Sequence, residues 1–133
     1  MLGLKQMLLV ALGGACGSVI RYKVSGLVLH HTTTWQFPLG TFLINVLGCF
    51  AIGILGALAE QHDLFSPGTR LLLFTGVLGG FTTFSAFGYE TVFLLRRGII
   101  QVALLYSGLS VLVGVVAIVG GMKVVELLWR NHH

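Results

Sequence analysis

Charge is what this sequence has least of: 9% of its 133 residues are Asp, Glu, Lys or Arg, and 4 of them are acidic. Soluble domains keep about a quarter of their residues charged, so a water-exposed globule is excluded. The carboxylates are scattered along the chain, with no acid and base pair and no nucleophile beside a base, and an enzyme is not expected. The 2 cysteines, Cys16 and Cys49, fall inside apolar runs, away from metal-site spacing or the density of a disulfide scaffold, and read as small packing residues. Proline is as scarce, at 2 residues, against 19 glycines, a balance that suits transmembrane helices packed closely through small residues. The net charge of +4 is spread rather than clustered, which argues against a nucleic-acid surface.

What the chain does have is apolar length, 56% of its residues being hydrophobic. Crossing a bilayer takes roughly 20 apolar residues. Four runs qualify, at about 5–29, 38–59, 70–95 and 99–127, and together they make residues 1–133 a single transmembrane domain. Pro38 suits the start of the second helix. Lys5 ahead of an apolar core and the small residues GGAC also have the form of a secretory signal, but cleavage there would remove the start of a helix the rest needs. The fold class expected is all-α, in a membrane.

Four spans put both termini and the 60–69 connector on one side, and the other two connectors opposite. Lys5, Arg70, Lys123 and Arg130 then face Arg21, Lys23, Arg96 and Arg97, four against four. Orientation follows an excess of Lys and Arg in cytoplasmic loops, and a balanced count carries no strong instruction. Either the chain inserts both ways, so that two opposed copies can pair about an axis in the membrane plane, or a single charge such as Lys5 fixes one topology.

Polar residues at membrane depth carry the functional signal. Thr41, Asn45 and Gly48 share one face of the second span, and Tyr106, Ser110 and Gly114 one face of the fourth. In each case interhelical hydrogen bonding and a polar path are both open readings. In the first span, Gly13 and Gly17 form a small-xxx-small pair with Arg21 one turn on, and Arg21 reads as an interface anchor or as a charge seeking an acceptor. The stretch GGFTTFSAFGYE, Gly79 to Glu90, joins two glycines to two β-branched threonines, so the third helix is expected to break there. Irregular backbone at that depth must be buried in protein or line a cavity, and freed carbonyls are ready cation ligands. Phe81, Phe84 and Phe87 recur beside the hydroxyls of Thr82 and Ser85, and the positive edge of an aromatic ring can face an anion.

These residues resemble the small bacterial fluoride channels of the Fluc (CrcB) family. GGACGSVIRY in the first span, GTFLINVLG in the second and GVLGGFTTFSAF in the third carry the likeness, in that order, over nearly the whole chain. The resemblance implies an antiparallel, dual-topology homodimer in the inner membrane, with two pores passing fluoride out of the cytoplasm and the third helix broken near its middle. It implies that Asn45 is the pore amide and that Phe84 and Phe87 turn ring edges to the path. Tyr106 and Ser110 become hydroxyls of a polar track, with Thr41, Thr83 and Ser85 beside it and Arg21 near the vestibule. It also implies a structural sodium ion at the dimer interface, held by backbone carbonyls of Gly79 and Thr82. Ala86 departs from the threonine many relatives carry and removes a hydroxyl there. The rival reading is a dual-topology, proton-coupled multidrug exporter, which needs a carboxylate deep in an early span; the first two spans have none before Glu60.

Overall fold

The computed structural model describes residues 3–132 of the chain. Helix α1 (Leu4–His31) is followed by α2 (Leu39–Gln61), a third span from Pro67 to Arg96, and a last helix, Ile100–Arg130. All four are long and apolar enough to cross a membrane. Large aliphatic side chains such as Leu12, Val19, Leu104, Val111 and Val116 stand exposed along them, as they must where the solvent is lipid. This is a multi-pass membrane protein, all-helical among the described residues.

The third span is where regularity fails. It opens with a short α3 (Pro67–Arg70), capped by Ser66 Oγ, which accepts from the Thr69 N–H at 3.2 Å. It then widens into a π-helical stretch, Leu71–Leu78, in which the Gly79 N–H reaches back five residues to the Phe74 carbonyl. One turn of α4 (Gly79–Phe81) follows, and then the chain leaves the helix. Thr82 (φ −81°, ψ 157°) and Thr83 (φ −151°, ψ 112°) are extended before α5 (Phe84–Arg96) begins. Gly98, at φ 76°, makes the tight turn into α6 (Ile100–Arg130).

The expected break is present, at the two threonines of the GGFTT run and not at its glycines. Gly79 and Gly80 stay helical because the missing side chain serves packing: a Cβ on Gly80 would lie 2.5 Å from the Gly14 carbonyl oxygen of α1. Gly13 and Gly17 meet the backbone of the π-helical stretch in the same way, at Leu72 and Val77. Helix α1 therefore packs along the first half of the third span, and α2 along α6. Tyr106, fully buried, joins Leu94 and Ala103 in a cluster bordered by Phe37, Phe42 and Phe87.

Candidate functional site

Leaving a helix in hydrocarbon strands backbone groups, and each unsatisfied one costs about 1–3 kcal/mol. Asn45, projecting from α2, meets that need at Thr83. Its Nδ2 donates to the Thr83 carbonyl at 3.0 Å, and its Oδ1 accepts from the Thr83 N–H at 2.9 Å. Thr83 in turn caps α5, its Oγ1 accepting from the Ala86 N–H at 3.2 Å. Both bonds take donors that a continuous helix would have aimed at carbonyls four residues back. The Thr83 N–H would have closed on Gly79 and the Ala86 N–H on Thr82. Gly79 and Thr82, whose carbonyls the resemblance implies as cation ligands, are thus among the residues that lose an i+4 donor at the break, together with Gly80 and Phe81. The Leu78 carbonyl, by contrast, accepts from both the N–H (2.9 Å) and the hydroxyl (2.8 Å) of Thr82.

One turn before Asn45 on α2, Thr41 is buried and donates from Oγ1 to Glu90 Oε1 at 2.7 Å. Tyr106 donates its hydroxyl to Glu90 Oε2, also at 2.7 Å. These are short bonds, and they hold one carboxyl group between three helices. Sequence reasoning did not place Glu90 in the site. The signal was there: it is the single charged residue between Arg70 and Arg96 in an apolar span, and intramembrane charge marks function by default.

Two cavities flank this cluster. One, of about 460 Å³, is walled by Asn45, Gly48, Thr82, Thr83, Phe84, Phe87, Ser110 and neighbouring apolar residues. Ser110 Oγ is buried there without a hydrogen-bond partner among the described residues. The other, of about 430 Å³, lies at the membrane end formed by the α1–α2 connector and the end of α5, with Thr41 and Glu90 in its wall. Tyr106 and Phe87 stand between the two, their ring centroids 5.2 Å apart. Phe84 lies 5.6 Å from Phe87 and is 82% exposed, on the outside of the single chain.

The structure therefore brings Thr41, Asn45, Thr83, Phe84, Phe87, Tyr106 and Ser110 together, with Gly79 and Thr82 at the edge of the first cavity. Ser85, exposed, lies 3.4 Å from the Thr83 hydroxyl. Arg21 is not brought to the group: half-buried on α1, it lines neither cavity and has no ion-pair partner among the described residues. The arrangement offers neutral donors beside aromatic rings, the Asn45 amide and the Ser110 hydroxyl, while the hydroxyls of Tyr106 and Thr41 are donated to Glu90.

The profile of the family described as CrcB-like protein, Camphor Resistance (CrcB), matches residues 8–122. A protein of Methylobacillus flagellatus named fluoride-specific ion channel FluC is 51% identical over 122 residues, 92% of this chain and 95% of its own length. Proteins of the same name from Acidobacterium capsulatum and Methanopyrus kandleri are 44% identical over 119 residues and 40% over 130, covering 94% and 96% of their own lengths. By that match and at those identities, this chain belongs to the CrcB-like family.

Proposed function

We propose that the protein is a fluoride-selective channel, in keeping with the name fluoride-specific ion channel that its relatives share, and that it lets fluoride leave the cytoplasm passively across the cell membrane. The observation that carries the reading is the unspent Ser110 hydroxyl, buried in a cavity it shares with the Asn45 amide and the rings of Phe84 and Phe87. Fluoride is small and strongly hydrated, so a path must replace its water with compact donors. Ser110 has such a donor free, while Tyr106, one turn away on α6, and Thr41, one turn from Asn45 on α2, donate their hydroxyls to Glu90. Ring edges supply further positive charge where no donor reaches.

The functional unit in this reading is an antiparallel homodimer with two paths. The exposure of Phe84 supports it, since a ring that lines a water-free path must be covered by another chain. A structural sodium ion at the dimer interface fits the donor set at the break. The carbonyls of Gly79 and Thr82 lack helical donors, and hard oxygen ligands suit a hard cation. No step of permeation runs through that ion; when bound, it supplies fixed positive charge that neutralises the carbonyl dipoles.

The experiment is fluoride efflux from liposomes holding the purified protein. Efflux down a fluoride gradient, without a proton gradient and without matching chloride loss, is expected. Efflux that requires an opposing proton gradient, or none at all, overturns the proposal.

A further inference from the structure

The cavity at the α1–α2 connector carries one feature that the donor path does not use. Of the eight Lys and Arg residues, Arg97 alone lines either cavity. In the same wall stands Glu90, the cavity's single acidic residue. Arg97 belongs to neither of the two ion pairs among the described residues, Arg70 with Asp63 and Lys123 with Glu126. Its guanidinium instead lies over the Phe93 ring, Cζ 4.9 Å from the centroid. Stacking on an aromatic face holds the planar group in place without neutralising it.

An anion arriving at this end passes Arg97, at the end of α5, before it nears Glu90, about two turns deeper, and an ionised Glu90 would repel it over several ångströms even in water. A fixed cation in the same concave wall cancels that field and raises the local concentration of anions, because low-dielectric walls focus field lines. We propose that Arg97 is the anion-capturing residue at this mouth of the path: held on Phe93 in the same wall as Glu90, it draws fluoride into the approach to Tyr106 and Thr41. The inference rests on the fluoride-channel reading and adds to it the mouth and its charge. Arg97 acts on arrival, before dehydration, so its contribution is electrostatic, long in range and sensitive to salt. Arginine serves better than lysine here because its weaker hydration lets it stay on the ring.

The adjacent Arg96 supplies the control. It is exposed, sits in the same connector, counts equally toward topology and lines neither cavity. Arg97→Gln, Arg96→Gln and Arg97→Lys are purified, confirmed to share the wild-type oligomeric state, and assayed for fluoride flux at low fluoride. The background is an impermeant salt stepped from about 0.01 M, where the Debye length is about 30 Å, to about 1 M, where it is about 3 Å. At low salt, Arg97→Gln is expected to lose about tenfold in flux, within the range known for charged clefts. Arg96→Gln stays near wild type, and Arg97→Lys keeps most of the rate. At high salt the wild type falls to the level of Arg97→Gln. Equal fluxes from the two glutamine variants, or a loss in Arg97→Gln that salt does not erase, overturn the assignment. A wild type that passes no fluoride defeats the channel reading itself, whereas a conducting wild type matched by Arg97→Gln defeats the mouth alone.

Discussion

Asn45 has two duties, and they separate experimentally. Its amide pins the break through Thr83, and the residue also lines a cavity. In Asn45→Asp an oxygen still accepts the Thr83 N–H, but the other oxygen faces the Thr83 carbonyl with no donor between them. The cost is about 1–3 kcal/mol of stability, and an ionised carboxylate beside the path repels anions. Both a lower unfolding temperature and at least roughly tenfold slower fluoride efflux are expected, each 1.4 kcal/mol of added barrier being about a factor of ten. A dimer that unfolds early yet conducts at the wild-type rate would leave Asn45 as a structural pin alone. The phenylalanines divide differently. Phe84 is exposed on the single chain, so Phe84→Leu should leave the fold of the protomer untouched while slowing efflux. Phe87→Leu also gives up the contact with Tyr106. Leucine roughly keeps volume but has no ring edge, and unchanged efflux from both variants would assign these rings to packing.

At the scale of the element, the third span depends on a cap and on close approach. Thr83→Ala removes the α5 cap and should cost about 0.5–2 kcal/mol, while Thr83→Ser keeps the hydroxyl and most of the stability. Gly17→Ala places a methyl against the Val77 carbonyl, a backbone atom that cannot swing aside, and is expected to cost more than the cap. Thermal unfolding of the purified variants orders the three, and an undiminished Gly17→Ala would show that α1 and the π-helical stretch can part freely. The helices, their number and the existence of the break were legible in the sequence because apolar length and the run GGFTT are local signals. That the break spares the glycines and falls on the threonines was not, since Gly80 rests against Gly14, 66 positions away in sequence and on another helix. The hydroxyl grip on Glu90 was hidden for the same reason, with Thr41 49 residues distant and Tyr106 16. Nothing local announces the π-helical widening either: Leu71–Leu78 is simply apolar, and its backbone contact with Gly13 and Gly17 is tertiary.

For the whole molecule the deciding quantity is the charge balance. Four Lys and Arg residues on each side give the inserting chain no strong instruction, and the antiparallel pair we propose needs both orientations in one membrane. The balance can be tilted at sites away from both cavities. Gln61→Lys with Leu64→Lys adds two positive charges to the α2–α3 connector, making six against four, whereas His31→Lys with Thr34→Lys adds two to the opposite side. All four positions are exposed, so folding should be little affected. Each double variant alone is expected to insert one way, to lack opposed partners and to give little fluoride efflux from cells. Expressed together, the two supply complementary orientations and efflux should return. The readouts are cysteine accessibility at each connector, which reports orientation, and fluoride retention by the cells, which reports function. Full efflux from either variant alone, with its connectors reached from one side only, would mean that opposed copies are unnecessary and that one orientation suffices for the path.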